Sequence, residues 1–247
     1  MPQTKIEWTD YSINPVKGKC PVACPYCYAR EMYDRFGWNP EIRFVPSVFN
    51  ELPEKPVRVF VGSTIELFLF DDWMEFILNR CQDFPQHTFL FLTKKPEKLP
   101  QWSPFPPNCQ VGVTATDEPS LVNACQELHY IEAKLKYLSI EPFLNWFQDF
   151  ITYGVDYWLK YGNVGWLIIG ALTGRKSKIM ELAKQYPDLT PMLWERKWTL
   201  QPKIEWIVEV MEACDKAGVP VFLKDNLAPL LYASNFQHYG IRQEVPK

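Results

Sequence analysis

The sequence lacks the features that would direct the chain to a membrane or to a polyanion. Its longest apolar run, WLIIGAL, is far too short to span a bilayer. The opening residues MPQTKIEWTD contain neither the basic start nor the apolar stretch of a signal peptide. A formal net charge of -3 provides no general basic surface for a nucleic-acid backbone. We therefore expect a soluble, cytoplasmic protein with no membrane partner.

Fixed-period repeats, low-complexity tracts and a linker that would divide the chain are also missing. Apolar residues make up 47% of the sequence and aromatic residues 15%, which is ample for a packed core in a chain of 247 residues. We therefore expect a single domain over residues 1–247.

Short apolar runs alternate with amphipathic stretches along the chain. The runs occupy residues 57–62, 88–93, 109–114, 136–141, 165–170 and 220–225. Nearly continuous Val, Ile, Leu and Phe is typical of parallel strands that are buried on both faces. Helix start and stop signals, such as leading acidic residues or proline, predict helices at 28–36, 71–82, 118–129 and 201–218. The alternation predicts an α/β fold, either an open doubly wound sheet or a full or partial barrel.

Cysteine is scarce outside one stretch. The segment KGKCPVACPYCYAR, residues 17–30, contains Cys20, Cys24 and Cys27, whereas the other four cysteines are scattered. Three thiols cannot all be paired in disulfides with one another, and clustered thiols in a reducing compartment indicate metal or redox chemistry. Three thiolates on a cubane iron–sulfur cluster leave one iron without a protein ligand, and that iron can bind a small molecule.

A structural zinc site is the alternative explanation for three clustered thiols. Only His87, His129 and His238 are candidates for its fourth ligand, and none has the local spacing of a zinc finger. No second tight cysteine group indicates an additional cluster. The scattered cysteines fall within predicted strands and helices, where we expect small buried apolar side chains: Cys81, Cys109, Cys125 and Cys214.

The spacing C-x3-C-x2-C, with Tyr26 directly before the last cysteine, resembles the signature of the radical SAM superfamily. The resemblance implies a partial (β/α)6 barrel of parallel strands, in which Cys20, Cys24 and Cys27 hold a 4Fe-4S cluster. It implies that S-adenosylmethionine (SAM) occupies the fourth iron. One electron, from a donor such as flavodoxin or ferredoxin, would then cleave SAM to methionine and a 5'-deoxyadenosyl radical that abstracts hydrogen from a substrate.

Polar residues follow most of the predicted strands, and the working site of an α/β fold lies at these carboxyl ends. The resemblance implies that GSTIE, residues 62–66, holds the methionine amino group of SAM and that the loop 114–117 contacts its ribose. Lys94 or Lys224 is expected to pair with the methionine carboxylate. The predicted cofactor contacts are Tyr26, Gly62, Ser63, Thr64, Glu66, Lys94, Thr114, Thr116, Asp117, Glu141 and Lys224.

A closer likeness is to a phage- and bacterium-associated family of uncharacterised radical-SAM-like proteins. Its members open with KIEWTD, continue with NPV and reach a cysteine cluster ending in CYA, and all three pieces occur here at residues 5–10, 14–16 and 27–29. FLTKK and VFLKD resemble later blocks of that family. Residues 175–200 are unlike its common pattern, and we interpret them as a lid or as a docking insertion for a protein partner.

No motif identifies the substrate. Aromatic and basic residues interleave in YGVDYWLKYG and LWERKW, residues 153–162 and 193–198, as they do on surfaces that stack nucleic-acid bases. A nucleotide or nucleic acid is therefore one candidate substrate. Two functions remain open at this point: a radical SAM enzyme, or a non-enzymatic iron–sulfur or zinc-binding interaction protein on the same scaffold.

Overall fold

The computed structural model describes residues 3–146, 153–234, 236 and 241–246. Its strands are β1 (Tyr11–Ile13), β2 (Val16–Lys17), β3 (Arg43–Phe44), β4 (Arg58–Val61), β5 (Thr88–Thr93), β6 (Cys109–Ala115), β7 (Lys136–Ile140), β8 (Trp166–Ile169), β9 (Leu172–Gly174), β10 (Thr190–Trp194), β11 (Lys197–Gln201) and β12 (Val221–Leu223). Its α-helices are α1 (Tyr28–Phe36), α2 (Asp71–Gln82), α3 (Glu118–His129), α4 (Val155–Tyr161), α5 (Lys176–Gln185), α6 (Ile204–Ala217) and α7 (Ala228–Ala233).

The main sheet has seven strands in the order β1-β4-β5-β6-β7-β8-β12. The registers of β1 with β4, β4 with β5, β5 with β6, β7 with β8 and β8 with β12 are all parallel. Parallel neighbours require a crossover connection, which helices such as α2 and α3 supply. The α/β class with a partial barrel of parallel strands, predicted from the sequence, is confirmed.

The predicted boundaries agree closely with the structure. Helices α1, α2 and α3 begin and end at the predicted residues, and β5 does so as well. The last strand ends at Leu223, so Lys224 and Asp225 follow it instead of belonging to it. Among the described residues, no helix has both the length and the apolar character needed to cross a membrane.

By its contacts, the chain divides into two compact units. The first comprises Met1–Val113 with Tyr130–Lys136, and the second comprises Thr114–His129 with Tyr137–Lys247. The prediction of a single domain over residues 1–247 stays a prediction. In the first unit, α2 turns Met74, Ile77 and Cys81 to the interior at helical spacing, and each apolar side chain buried in this way stabilises the fold by about 1.5–3 kcal/mol.

The second unit carries a small antiparallel sheet that the sequence did not predict. Its strands have the order β10-β11-β9, and α5 connects β9 to β10. Residues 175–200 therefore form a helix and most of a β-hairpin, whose tip residues Glu195 and Arg196 have φ values of 45° and 70°. Two consecutive residues with positive φ suit the two-residue turn of a tight hairpin. The lid or docking role of this stretch stays a prediction.

Candidate cofactor site

The cysteine loop, residues 18–27, is anchored to α1 where it starts and closes a turn of its own where it ends. The Gly18 N–H donates to the Tyr33 hydroxyl at 2.8 Å, and the Cys27 N–H donates to the Cys24 carbonyl at 3.1 Å. Gly18 has a φ of 131°, and a Cβ there would lie 2.7 Å from the Glu41 carbonyl oxygen. Only glycine fits this close approach, so the sequence fixes where the loop begins.

The three thiols of the loop are free and half-buried. Burial raises the pKa of the Cys24 thiol; the nearby Lys94 charge acts to lower it, and Cys27 and Cys20 act to raise it. The sulfur atoms of Cys20 and Cys27 are therefore close enough to Cys24 to influence its ionisation. In the part of the chain that the structure describes, however, no three Cys, His, Asp or Glu side chains already form a metal-binding group.

The turn after β4, residues 62–66, is held in place by a residue from the end of β1. Asn14 Oδ1 accepts hydrogen bonds from the Ser63 hydroxyl at 3.2 Å, from the Thr64 hydroxyl at 3.1 Å and from the Thr64 N–H at 3.2 Å. Gly62 has a φ of 81°, and a side chain there would collide with Leu67. Gly62, Ser63 and Thr64 thus form one rigid turn at the carboxyl end of β4.

Glu66 has a different environment from its neighbours in this turn. Its side chain is 7% exposed, and its carboxylate accepts bonds from the Thr93 hydroxyl at 2.7 Å and the Lys94 N–H at 2.8 Å. Burial raises the pKa of Glu66, while the bonds from Lys94 and Thr93 act to lower it. Glu66 therefore connects the turn after β4 to the end of β5.

Three contacts join the cysteine loop to these strand ends. The Glu66 N–H donates to Cys20 Sγ at 3.4 Å, and the Tyr28 hydroxyl donates to the Ser63 carbonyl at 3.1 Å. Lys94 Nζ lies 5.7 Å from the centre of the Tyr26 ring. The structure thus brings the three cysteines together with Tyr26, Gly62, Ser63, Thr64, Glu66 and Lys94 in the first unit, at the carboxyl ends of β1, β4 and β5.

The remaining predicted contacts lie in the second unit, where Thr116 and Asp117 directly precede α3. Thr114 is buried within β6. The Thr116 N–H donates to Ser120 Oγ at 2.9 Å, and Asp117 Oδ1 accepts the Ser120 N–H at 2.9 Å. Asp117 therefore caps the start of α3, and the Ser120 side chain satisfies the backbone N–H of Thr116.

Glu141 and Lys224 form an ion pair of 2.5 Å at the ends of β7 and β12. Gly170 adjoins this pair, because a Cβ there would lie 3.0 Å from both side chains. Asn226 holds the neighbouring loop by accepting the Ala171 N–H at 3.0 Å and donating to the Ala171 carbonyl at 2.6 Å. The charge of Lys224 therefore already has a protein counterion.

The predicted zinc alternative receives no histidine ligand from the described residues. The His87 ring stacks on Phe84 and meets Phe89 edge-on, and the His129 ring stacks on Tyr161. His238 lies outside the described residues. The prediction that the scattered cysteines are buried is confirmed for all four: Cys81, Cys109, Cys125 and Cys214.

Asn14 is the site residue that the sequence did not single out. It stands in the NPV segment, where Asn before Pro is equally typical of an ordinary turn. Its partners Ser63 and Thr64 follow about fifty positions later. The only available signal was its position directly after a short strand, β1, that the apolar pattern did not reveal.

The donor set of the cysteine loop is three thiols, the number of protein ligands that a cubane iron–sulfur cluster with one open iron needs. Across the residues that the structure describes, these thiols are not grouped closely enough with one another, or with a His, Asp or Glu side chain, to form a metal-binding group. A backbone N–H already points to Cys20 Sγ, and such bonds are among the interactions that tune iron–sulfur clusters. Binding would require the thiols to lose their protons, which the raised pKa of Cys24 opposes in the metal-free loop.

Comparison with known proteins gives a fold and a family. A solved structure of a spore photoproduct lyase double mutant, with bound AdoMet and dinucleoside spore photoproduct, superposes with a TM-score of 0.58 at 12% sequence identity. The match covers 90% of this chain and 77% of that chain, and it shows a shared fold. No curated protein matches the chain. A family model matches residues 3–185, well over half of the sequence, so the chain belongs to the family described as a protein of unknown function, DUF5131.

Proposed function

We propose that the protein is a radical SAM enzyme. Cys20, Cys24 and Cys27 would hold a 4Fe-4S cluster, and SAM would bind at the iron that has no protein ligand. When bound, the cluster supplies the one-electron reduction that cleaves the SAM sulfonium, which starts hydrogen abstraction from a substrate that is still to be identified.

One observation carries this proposal: the cysteine loop contacts the turn after β4 directly. The bonds from the Glu66 N–H to Cys20 Sγ and from Tyr28 to the Ser63 carbonyl fix the two segments side by side. In α/β folds with parallel strands, ligands bind at the carboxyl ends of the strands, where both segments lie. The fold shared with an AdoMet-bound lyase supports the same interpretation.

The turn after β4 is suited to bind the methionine ammonium group of SAM. Each hydroxyl of Ser63 and Thr64 donates its single proton to Asn14 Oδ1, at 3.2 Å and 3.1 Å. A hydroxyl that donates its proton keeps lone pairs with which it can accept an ammonium N–H. Glu66 Oε1 and Oε2, in contrast, already accept bonds from protein groups. We therefore assign the ammonium to Ser63 and Thr64, and give Glu66 the role of holding the turn.

Lys94 is the better of the two predicted partners for the methionine carboxylate. Its charge acts on Cys24, and its ammonium group lies over the Tyr26 ring beside the cysteine loop. Lys224 is already paired with Glu141 at 2.5 Å. Removing Lys224 from that pair would leave a partly buried carboxylate without its counterion, which is unfavourable.

Anaerobic reconstitution with iron and sulfide, followed by SAM and dithionite, tests the proposal. We expect about four irons per chain and the formation of 5'-deoxyadenosine. A protein that binds the iron but forms no 5'-deoxyadenosine would be a non-enzymatic iron–sulfur protein. Stoichiometric zinc that resists replacement by iron would contradict the cluster itself.

A further inference from the structure

The segment around the cysteine loop has a charge opposite to that of the rest of the chain. Residues 17–43 contain five basic and three acidic side chains, a formal net charge of +2 in a chain whose total is -3. The basic residues are Lys17, Lys19, Arg30, Arg35 and Arg43. A local positive potential is therefore built next to the predicted cluster ligands, on a protein that is otherwise acidic.

Backbone contacts hold the two ends of this segment next to each other. Lys17 lies opposite Arg43 in the β2–β3 pair, and the Lys19 N–H donates to the Pro40 carbonyl at 2.9 Å. Lys19 pairs with Asp34 at 2.5 Å. Within the described ranges of the chain, Lys17, Arg35 and Arg43 belong to none of the ion pairs; Arg35 and Arg43 are exposed, and Lys17 is half-buried.

Exposed aromatic rings accompany this charge. Phe36 is 53% exposed and Trp38 is 43% exposed, and the two rings stack at 5.6 Å between centroids. The Arg35 guanidinium carbon lies 5.0 Å from the centre of the Phe36 ring. Exposed aromatic residues next to arginine are the composition that is enriched at the centres of protein–protein interfaces.

The cysteine loop itself can be approached from outside. Every second residue in the middle of the loop is exposed, namely Pro21, Ala23 and Pro25. Lys17 is three positions from Cys20. Helix α1 begins directly after Cys27 and ends at Phe36, the first residue of the aromatic pair. A protein bound at this positive and aromatic region would therefore lie beside the predicted cluster ligands.

We propose that Lys17, Arg35, Phe36, Trp38 and Arg43, which we call the cysteine-side face, dock an acidic one-electron carrier protein with a flavin or iron–sulfur centre. Charge complementarity selects this occupant, because an acidic carrier is attracted by the face and repelled by the rest of the chain. The inference rests on the proposed function. In the transfer itself the carrier loses one electron, the cluster gains it, and no atoms are exchanged.

The test compares two reductants that each supply one electron to the reconstituted protein. Photoreduced flavodoxin is the protein donor, and dithionite is the small donor that needs no docking surface. In the double variant R35Q/R43Q we expect 5'-deoxyadenosine formation from flavodoxin to fall about tenfold at low ionic strength, with the dithionite-driven rate unchanged. The affinity for oxidised flavodoxin should fall by a similar factor, and its salt dependence should become flatter.

The matched control is the double variant K184Q/K216Q. It changes the net charge by the same amount at the last turns of α5 and α6, where both lysines are exposed. We expect it to react with flavodoxin at the rate of the unsubstituted protein. An equal loss in both double variants, or no loss in R35Q/R43Q, would overturn the proposal.

Other binding partners of the cysteine-side face would give different experimental results. A change of oligomeric state in R35Q/R43Q at unchanged flavodoxin affinity would mean that the face binds a second copy of this chain. Loss of single-stranded DNA binding at unchanged flavodoxin affinity would mean that it binds nucleic acid. Either result would overturn the docking proposal. Flavodoxin affinity is measured without SAM, so it tests the face even if no SAM is cleaved and the proposed function fails.

Discussion

Polar residues follow the strands in both compact units, but their hydrogen-bonding states differ. In the first unit, Ser63 and Thr64 donate to one shared acceptor and keep their own acceptor capacity, while the cysteine thiols form no disulfide. In the second unit, Glu141 and Lys224 neutralise each other. A polar side chain at a strand end is therefore a good predictor of a site only where its bonding capacity is not already used.

This difference separates the eleven predicted cofactor contacts into two groups. Those of the first unit lie around the cysteine loop, whereas in the second unit Asp117 caps α3 and the Thr116 N–H donates to Ser120 Oγ. Polar residues at strand ends serve helix caps and loop anchors as often as they serve ligands. The comparison predicts that substitutions in the first unit change cofactor binding and that those in the second unit change mainly stability.

The largest expected effect is that of replacing Cys24 by alanine. Two thiolates cannot hold a cluster with one open iron, so C24A should lose cluster assembly and SAM cleavage together. Iron content and 5'-deoxyadenosine yield measure both. The matched control is C214A, because Cys214 is buried in α6 and should affect only stability. Normal SAM cleavage by C24A would refute the radical SAM assignment.

A second comparison uses one asparagine from each unit. Asn14 holds the turn that carries Ser63 and Thr64, so N14A should weaken SAM binding about 10- to 100-fold at unchanged iron content. Asn226 holds the Ala171 backbone, and N226A should lower stability with little change in SAM affinity. Calorimetric titration with SAM and thermal unfolding of both variants separate the two effects. Equal SAM affinities in the two variants would invalidate the comparison.

The ion pair of the second unit gives a smaller effect. The side chains of Lys224 and Glu141 are 15% and 27% exposed, so K224M should reduce the free energy of unfolding by about 1–3 kcal/mol. The double variant K224M/E141Q should recover part of this loss, because no partly buried carboxylate then remains without a counterion. Denaturant unfolding measures both. A large loss of SAM affinity in a stably folded K224M would instead make Lys224 a cofactor contact.

The smallest expected effect is a pH dependence at the last described segment. Partial burial acts to raise the pKa of Glu244, but the Val221 N–H bond at 2.7 Å and the Arg242 guanidinium outweigh it, so the pKa lies below its ordinary value of 4.5. A lowered carboxyl pKa contributes stability above the ordinary value, and this stability is lost as the pH falls through the folded-state pKa. Below pH 5, the free energy of unfolding should therefore fall less steeply with pH in E244Q than in the unsubstituted protein, and denaturant unfolding at several pH values measures this difference.

The strands and helices that the sequence predicted best are those with one dominant signal. Thr88–Thr93 is almost continuously apolar, and α2 combines two leading aspartates with apolar residues at helical spacing. The antiparallel hairpin of β10 and β11 escaped prediction because its turn is Glu195–Arg196 instead of a pair containing Asn or Gly. Local signals thus identified six of the seven strands of the parallel sheet, all but β1, and none of the small antiparallel sheet.

The candidate site was predictable only in part for the same reason. The spacing of the three cysteines and the resemblance that it carries predict a metal site, and this role of the cysteines stays a prediction. The role of Asn14, and the use of Glu66 as an anchor, depend on bonds to residues that are distant in the chain. Sequence position cannot show which donors and acceptors are already occupied, and the pairing of Lys224 with Glu141 is such a case.

The most direct test of the account is the electron paramagnetic resonance spectrum of the reduced cluster before and after addition of SAM. If SAM binds the open iron through the site in the first unit, the spectrum of the unsubstituted protein should change on addition of SAM. In the double variant S63A/T64A the same change should require about 10- to 100-fold more SAM, because the ammonium acceptors are gone. A reduced cluster whose spectrum does not respond to saturating SAM would contradict the central claim.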